Sequence, residues 1–341
     1  MQDIKELSPK ELESVFEAWQ EPAFRAKQVL SWLYKKGATD FNQMTDIPSG
    51  LRVKLKDNFY IYGLKLIKRS VSQDGTEKFL FCLKDKNLIE AVVIPTKNRI
   101  TACISTQVGC KFACLCCASG RLGFKRNLTC GEMIEEVLYL KNNSKDKKLT
   151  HIVFMGTGEP LDNYENVLET VRILNSKDAF AIAARRITIS TCGIIPGINR
   201  LKQEDLQVEL SISLHSADDL IRSQIMPINK KYPLSELIGA CRKYIKQTGR
   251  QVTFEYILIK GMNSDLQSAL KLVKILKGLN CKVNLIPFNP LKELKLNSPS
   301  KAEIIYFRDY LLEHGINVTL RRPRGIDIEA ACGQLRLRYE K

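Results

Sequence analysis

The stretch GCKFACLCCASG, at residues 109–120, places four cysteines within eight positions. Three of them, Cys110, Cys114 and Cys117, follow the spacing C-x3-C-x2-C. A structural zinc ion normally takes four protein ligands, which finger-like sites supply as two separated pairs, and the sequence has no second pair. Three thiolates instead suit a [4Fe–4S] cluster whose fourth iron is open to a small molecule. This loop is therefore predicted to hold an iron–sulfur cluster.

Two other assignments of these thiols remain open. A structural zinc site would need a fourth ligand, which Cys103 or Cys130 could supply. Cys116 offers a second trio, C-x3-C-x-C, although we rank it as a neighbour that is not a ligand. Iron and sulfide content distinguishes the cluster from zinc.

Strand–helix units surround this loop. From residue 100 onward, short apolar runs alternate with longer helical patterns, and such repeats predict a parallel sheet in a partial barrel, a full barrel or a doubly wound fold. Strands are expected at TACIST (from residue 101), HIVFMG (151), RITIST (186), VELSISLH (208), VTFEYILI (252), KVNLIPF (282) and 317–321. Helices are expected at 131–141, 164–174, 234–247, 265–279 and 301–314.

Glycine and polar residues cluster where several of these strands end, at residues 156–160, 190–193, 213–216 and 287–290. The carboxyl ends of parallel strands meet at one rim, and binding sites are built there. The sequence therefore predicts a site at this rim, beside the cysteine loop.

Three parts of the chain are predicted. Residues 1–70 form a helical accessory domain, whose first helix has Ser8 as N-cap and Glu11 completing a capping box. Residues 71–99 form an antiparallel β-meander, within strand-rich sequence that starts near residue 60. Residues 100–341 form the catalytic domain.

The charge balance favours a polyanionic partner. Lysine and arginine number 53 against 37 acidic residues, a net charge of +16, with basic clusters at 184–186, 229–232 and 321–325. Such clusters favour RNA or DNA, the alternative being a generally lysine-rich proteome.

The cysteines and the hydropathy pattern indicate the compartment. The count of eleven cysteines suggests metal or redox chemistry in a reducing compartment rather than structural disulfides. The charged start MQDIKELSPKELE is no signal peptide, and about 18 consecutive apolar residues, the length of a membrane span, occur nowhere. We expect a cytoplasmic protein that does not enter a membrane.

The sequence resembles radical S-adenosylmethionine (SAM) enzymes, in which C-x3-C-x2-C follows the first strand and GTGEP the second. Within that superfamily it is similar to the RlmN family of RNA adenine carbon-2 methyltransferases. The resemblance covers nearly all of residues 90–335 and implies an α/β fold, an incomplete (β/α)6 radical SAM barrel with a small N-terminal helical domain and a connecting antiparallel β segment. It rests on STQVGCKFACLCCASGRLGFKRNL, MGTGEP, RRITISTCGIIP, ISLHS, MPINKKYP, NLIPFNP and GIDIEAACGQL.

The resemblance also implies cofactors. Cys110, Cys114 and Cys117 would hold the [4Fe–4S] cluster, whose open iron chelates the methionine part of SAM. Reduction then splits SAM into methionine and a 5′-deoxyadenosyl radical. The positions that match the family's SAM contacts are Gly158, Glu159, Ser190, Ser213, Leu214, His215 and Asn289.

Three further residues match the family's catalytic groups. Cys332 would take a methyl group from one SAM, and the radical from a second SAM would activate that group for addition to the adenine ring. Glu90 would accept the proton from carbon 2. Cys103 would attack the Cys332 sulfur, releasing the methylated base and leaving a transient disulfide that an external reductant resets.

The resemblance implies 23S rRNA and tRNA as substrates, an external electron donor, a disulfide reductant and a monomeric enzyme. The cations expected to grip the RNA are Arg25, Lys27, Lys35, Lys36, Lys230, Lys231, Arg321, Arg322 and Arg324.

Two alternatives stand beside this function. A Cfr-type enzyme shares the cysteine pair but methylates carbon 8 and confers antibiotic resistance. EAVVIP (from residue 90) and LIPFNP (from 285) favour the carbon-2 branch. A zinc-stabilised RNA-binding module without catalysis is the alternative from another class.

Overall fold

The computed structural model describes residues 1–143, 149–289 and 294–335. Its strands are β1 (Gln2–Asp3), β2 (Phe59–Tyr60), β3 (Lys65–Val71), β4 (Glu77–Cys82), β5 (Leu88–Pro95), β6 (Ile100–Cys103), β7 (Gln107–Gly109), β8 (Phe124–Asn127), β9 (His151–Phe154), β10 (Ile187–Thr191), β11 (Glu209–Ser213), β12 (Val252–Leu258), β13 (Cys281–Pro287) and β14 (Asn317–Leu320). Its α-helices are α1 (Pro9–Ala18), α2 (Ala23–Leu30), α3 (Ser49–Asn58), α4 (Cys130–Asn143), α5 (Tyr164–Asn175), α6 (Ile195–Leu201), α7 (Asp219–Ile225), α8 (Leu234–Thr248), α9 (Leu266–Leu276) and α10 (Lys301–Glu313).

A ten-stranded sheet organises the molecule, in the order β14-β13-β12-β11-β10-β9-β6-β5-β4-β3. The strands from β6 to β14 in that order pair in parallel, whereas β3, β4 and β5 pair antiparallel and extend the sheet beyond β6. Every strand expected from residue 100 onward is present. The short helices α6 and α7 were not predicted, because seven residues are too few to show a helical period.

The N-terminal helices pack against the sheet domain through one continuous core, which includes Phe16 and Leu33 together with Val137 of α4. The predicted capping box at α1 is present: Glu11 N donates to Ser8 Oγ at 3.1 Å, and Ser8 N donates to Glu11 Oε2 at 2.8 Å. The helical part ends earlier than residue 70, because α3 ends at Asn58 and β3 is already an edge strand of the sheet.

The antiparallel register decides which side chains share a face. Leu80 pairs with Glu90 and Lys78 with Val92 across β4 and β5. Val92 in turn pairs with Cys103 across β5 and β6. Because paired residues of an antiparallel ladder point to the same side, all five side chains lie on one face of the sheet.

Glu136 is a buried carboxyl group on α4, behind the loop that follows β6. Its Oε2 accepts a hydrogen bond from Ser105 N at 3.2 Å, and its Oε1 has no hydrogen-bond partner among the described residues. Burial raises the pKa of Glu136 well above its ordinary value of 4.5. The folded protein therefore keeps this group protonated at a pH where the unfolded chain ionises it.

The variant Glu136→Gln is expected to be more stable than the parent at pH 8. A raised folded pKa gives stability that is present below the unfolded pKa and is lost as pH rises toward the folded value. Glutamine cannot ionise, so the variant escapes that loss. Thermal unfolding at pH 5.5 and pH 8 measures the difference in stability between Glu136→Gln and the parent. This difference should be smaller at pH 5.5. Glu17→Gln, exposed on α1, is the control. A less stable Glu136→Gln at pH 8 would contradict this expectation.

Candidate active site

The positions predicted to contact SAM lie at the carboxyl ends of the parallel strands. Gly158 and Glu159 follow β9, Ser190 is the penultimate residue of β10, and Asn289 follows β13. Ser213 ends β11, and Leu214 and His215 follow it. The fold therefore brings all of these positions to the rim that the sequence indicated, and their contact with SAM stays a prediction.

Glu159 holds neighbouring strand ends of this rim together by hydrogen bonds. Its Oε2 accepts from Cys192 N at 2.7 Å and its Oε1 from Leu161 N at 3.0 Å, while its own backbone N donates to Gln107 Oε1 at 2.9 Å. Burial raises the pKa of Glu159, and the bond from Cys192 opposes this effect. The side chain thus ties the end of β9 to the end of β10.

His215 is a neutral acceptor in the rim. Its backbone is left-handed, with a φ of 58°. Its Nδ1 accepts from Ile257 N at 3.2 Å, and its carbonyl oxygen accepts from Asn263 Nδ2 at 2.6 Å. Burial, and next the charge of Arg222, lower the pKa of His215 to about 3. The imidazole of His215 is therefore uncharged, and the bond to Nδ1 fixes its tautomer. The sequence did not indicate the residues that hold it.

Arg222 of α7 joins the ends of β10 and β11. Its guanidinium donates to the carbonyl oxygens of Cys192 at 2.9 Å, Ser213 at 3.1 Å and Leu214 at 3.0 Å. A fourth partner is Asn229 Oδ1, at 2.8 Å. The side chain is fully buried. Sequence reasoning missed this residue, because a lone arginine in a short helix carries no recognisable pattern.

The cysteine loop runs between β7 and β8. Cys110 N donates to Gly123 O at 2.9 Å, which joins the two ends of the loop, and Leu115 N donates to Ile225 O at 2.8 Å, which ties its middle to the end of α7. Burial raises the pKa of Cys110 to about 12 and that of Cys114 well above its usual range, with smaller contributions from the charges of neighbouring thiols. Cys116 packs in an apolar cluster with Cys192 and Ile225.

The donor set of this loop suits an iron–sulfur cluster. All three predicted ligands are free thiols, and soft thiolates are the ligands that such clusters take. Their sulfur atoms are not drawn together to metal-binding distance, since no group of three or more His, Cys, Asp or Glu side chains in the described ranges could hold a metal ion. The structure therefore places Cys110, Cys114 and Cys117 on one loop, and their role as ligands stays a prediction.

Cys103 and Cys332 line one cavity of about 490 Å³ inside the curve of the sheet. Both are free thiols. Burial raises the pKa of Cys103 above its usual range, and the positive charge of Arg321 opposes this effect. Arg321 lines the same cavity, so two thiols and one guanidinium lie on the wall of one space. Asn289 lines it as well, which connects the rim to the thiol pair.

The loop that carries Cys332 is attached directly to the cysteine loop. Ala118 N donates to Gly333 O at 2.7 Å, and Ser119 Oγ donates to Leu335 O at 3.1 Å. Asn289 Nδ2 donates to the carbonyl oxygen of Cys332 at 3.2 Å. These bonds fix Cys332 between the rim and the predicted cluster ligands, although more than 200 residues separate the two loops.

The variant Gly333→Ala is expected to displace the Cys332 loop. Gly333 has a φ of +83°, and a Cβ there would lie 2.5 Å from the carbonyl oxygen of Cys116. A left-handed backbone costs a residue with a Cβ about 1–2 kcal/mol. The close contact with Cys116 would in addition push the Cys332 loop away from the cysteine loop. We expect methylation of RNA to fall about tenfold or more, since small misplacements of reacting groups are costly. Radiolabelled methyl transfer measures this fall.

Gly261→Ala is the matched control for Gly333→Ala. Gly261 has a φ of +74°, but a Cβ there meets no atom within 4 Å. The variant Gly261→Ala should carry the same cost of a left-handed backbone as Gly333→Ala, and it should keep the activity of the parent. Equal activities of the two variants would show that the loop contact does not matter.

Glu90 lies on β5 and is buried, with 2% of its surface exposed. Its Oε1 is 3.3 Å from the ammonium of Lys78, and its backbone oxygen accepts from Ser105 Oγ at 2.8 Å. Glu90 does not line the cavity that holds the two thiols. It lies on the same face of the sheet as Cys103, because Cys103 pairs with Val92, two residues along β5 from Glu90.

The cavity has polar walls that sequence reasoning did not identify. Glu255 Oε2 accepts from Asn284 Nδ2 at 3.0 Å, and Ser211 Oγ is 3.4 Å from Glu255 Oε1. Arg321 was predicted to grip RNA, yet its guanidinium faces inward, where Cys332 and then Glu255 raise its pKa against the effect of burial. The sequence did carry a signal for these walls, because polar residues occupy alternate positions in β12 and β13 and therefore point to one face of the sheet.

Comparisons with known proteins agree with this arrangement. The model of the "Ribosomal RNA large subunit methyltransferase N-terminal domain" matches residues 2–61, and that of the "Radical SAM superfamily" matches residues 104–273. A crystal structure of a radical SAM methyltransferase from Sphaerobacter thermophilus is 42% identical, with a TM-score of 0.94 over 99% of this chain and 100% of that chain.

Curated relatives match along their whole length. Proteins named "Probable dual-specificity RNA methyltransferase RlmN" are 48% identical in Caldanaerobacter subterraneus subsp. tengcongensis, 46% in Thermotoga maritima and 45% in Clostridium novyi. The alignments cover 99–100% of this chain and 99% of each relative.

Fold, cysteine loop and matched models together define a radical SAM enzyme. The chain belongs to the RlmN family of radical SAM RNA methyltransferases. The predicted family, α/β barrel fold, enzyme class and cofactors are thereby confirmed, because this superfamily uses a [4Fe–4S] cluster and SAM. The enzyme interpretation therefore holds against the alternative of a non-catalytic zinc protein.

RNA is the substrate class of this family, as the basic composition indicated. Methylation of carbon 2 of adenine in rRNA and tRNA is consistent with the family. In the described part of the chain, no helix has the length and apolar character needed to cross a membrane.

Proposed function

We propose that this enzyme methylates carbon 2 of an adenine in 23S rRNA and in tRNA, with Cys332 as the carrier of the methyl group. The observation that carries the proposal is the pair of free thiols, Cys103 and Cys332, on the wall of one cavity. A base that reacts there must leave its stack, and a partly open cavity with charged and polar side chains on its wall suits a flipped nucleotide.

The cofactors supply the methyl group and the 5′-deoxyadenosyl radical when they are bound. Cys110, Cys114 and Cys117 would hold the cluster. The rim residues Gly158, Glu159, Ser190, Ser213, Leu214, His215 and Asn289 would hold SAM. Glu159, with its carboxylate already bonded to backbone N–H groups, would act mainly by fixing the rim. Asn289 would also keep Cys332 in place, since it binds the carbonyl oxygen of that residue.

The remaining chemistry belongs to side chains of the cavity and the adjoining sheet face. One electron must leave the radical adduct, and the bound cluster would accept it. Glu90 takes the proton that leaves carbon 2. The Cys103 thiolate then attacks the Cys332 sulfur, so the bond between that sulfur and the methylene carbon breaks and a disulfide forms. The released carbon gains a proton and becomes the methyl group. Arg321 favours the thiolate that this attack requires, and an external reductant returns the disulfide to two thiols.

The RNA would enter where cations line the outer part of the cavity, at Arg99, Lys282, Arg322 and Arg324. Such residues neutralise phosphates and make binding dependent on salt. The proposal includes residues 1–70 as an accessory domain that gives a second grip on RNA. Residues 71–99, the meander that extends the sheet, join it to the catalytic domain, residues 100–341. The proposal includes an electron donor, a monomeric state and a cytoplasmic location, where both RNA substrates occur.

Anaerobic turnover tests this function. The iron-loaded enzyme is supplied with SAM, dithionite and either a ribosomal RNA fragment or a tRNA, and the digested nucleosides are identified by mass spectrometry. We expect 2-methyladenosine from both RNAs. The 8-methyl isomer would assign the chain to the Cfr-type branch, and neither isomer from a loaded enzyme would refute the proposed substrates.

A further inference from the structure

Lys78 connects the predicted proton acceptor to the loop that carries Cys332. Its ammonium lies 3.3 Å from Glu90 Oε1 and donates to the carbonyl oxygen of Glu329 at 3.1 Å. The Lys78 side chain is 15% exposed and that of Glu90 only 3%. One largely buried cation therefore contacts both the predicted proton acceptor and a backbone atom three residues before Cys332.

The sheet register explains why these groups meet. Lys78 pairs with Val92, and Leu80 pairs with Glu90, so Lys78 and Glu90 are diagonal neighbours on one face of β4 and β5. Val92 packs with Cys103 and with Ala330 of the Cys332 loop. The Cys332 loop thus covers this face, and Lys78 lies beneath its first residues.

The contacted part of the loop has an unusual backbone. Glu329 has a left-handed φ of 51°, which costs a residue other than glycine some stability. The turn between β3 and β4 holds the same segment, since Ser72 Oγ donates to Asp327 Oδ1 at 2.6 Å and Gly325 N donates to Asp74 Oδ2 at 3.0 Å. These bonds hold the segment that leads to Cys332 against the β3–β4 hairpin.

We propose that Lys78 is a positioning residue, which fixes the Glu90 carboxylate relative to the Cys332 loop so that the base meets the proton on carbon 2. This inference rests on the proposed function. An ammonium group has three donors and can hold a carboxylate and a carbonyl together. The two reacting groups come from distant parts of the chain, and the ammonium of Lys78 contacts both the Glu90 carboxylate and the segment that leads to Cys332.

Loss of Lys78 should affect one stage of the reaction. Methyl transfer from SAM to Cys332 does not involve Glu90, so it should proceed as in the parent enzyme. Removal of the proton from carbon 2 should become slow, and the RNA should then remain attached to Cys332 for longer. The signature is therefore a normal level of methylated Cys332 together with an increased protein–RNA adduct.

Lys78→Met tests this inference, because methionine keeps most of the length and removes the charge. In single turnovers of the loaded enzyme, we expect 2-methyladenosine to form about 10- to 100-fold more slowly. This is less than the roughly 10²- to 10⁴-fold that a general base contributes, because the base is displaced and not removed. Denaturing gels should show more adduct. Deuterium on carbon 2 of the adenine should slow the variant more than the parent, because proton removal then limits the rate.

Lys78→Arg and Lys68→Met are the controls. Arginine keeps a donor for both partners and should recover most of the rate, whereas Lys68 is an exposed residue of the neighbouring strand β3 and its replacement should change nothing. If Lys78→Met loses its fold, Lys78→Arg still decides, since its adduct level and isotope effect must match those of the parent. Parent-like turnover without extra adduct in Lys78→Met would overturn the inference. A parent enzyme that makes no 2-methyladenosine would instead refute the proposed function.

Discussion

Replacing Cys332 by alanine should reduce formation of 2-methyladenosine by roughly a thousandfold or more, as expected when a residue that forms a covalent intermediate is lost. The methyl group then has no carrier. Because Asn289 binds the backbone oxygen of Cys332 and not its sulfur, the loop should keep its position in the variant. Mass spectrometry of digested RNA measures the product, and mass spectrometry of the intact protein should show no added methyl group.

Cys82→Ala is the matched control for this prediction. Cys82 is another free thiol, on β4, outside the cavity that holds Cys103 and Cys332. Its replacement should leave both methylated protein and methylated RNA unchanged. Full activity of Cys332→Ala with a full iron content would show that the methyl group reaches RNA by another route.

Replacing Cys103 by alanine should stop the reaction at a later point. The methylated Cys332 can still react with the adenine, but no thiolate is present to attack its sulfur and release the base. A covalent protein–RNA adduct should therefore accumulate to about one per active site, and free product should fall by roughly a thousandfold. Denaturing gels with labelled RNA measure the adduct.

The double variant Cys103→Ala with Cys332→Ala separates the two roles. It should form no adduct, since the carrier is absent. An adduct in the double variant would mean that another residue is the site of attachment, and rapid product release by Cys103→Ala would mean that a different thiol completes the reaction. The buried Cys103 also predicts that release in the parent becomes faster as pH rises, because burial raises the pKa of the attacking thiol.

Sequence reasoning was most successful where the signal is local. The spacing of Cys110, Cys114 and Cys117, the polar positions after each strand, and the alternation of apolar runs all lie within short windows. The strands of the barrel follow from such windows, because a parallel strand that is covered on both faces appears as a short apolar run. The capping box of α1 is equally local, and both of its hydrogen bonds are present.

Sequence reasoning failed where a side chain acts over a long separation. Arg222 binds backbone oxygens of two other strand ends, and Lys78 binds Glu90 and Glu329. Arg321 was assigned to the RNA surface from its basic neighbours, but its position on the strand-to-loop junction turns it into the cavity. No pattern of neighbours along the chain records these partners, because each depends on which strands are adjacent and in what register.

The sequence by itself determined the kind of enzyme and its cofactors, because short motifs with characteristic residue types indicate both. It also predicted which residues carry the chemistry. Only the tertiary structure decided how those residues are held together. It attached the Cys332 loop to the cysteine loop through Ala118 and Gly333, and it placed Glu90 and Cys103 on one face of the sheet. The physical reason is that strand register and loop packing depend on contacts between distant segments, which form only when the whole chain folds.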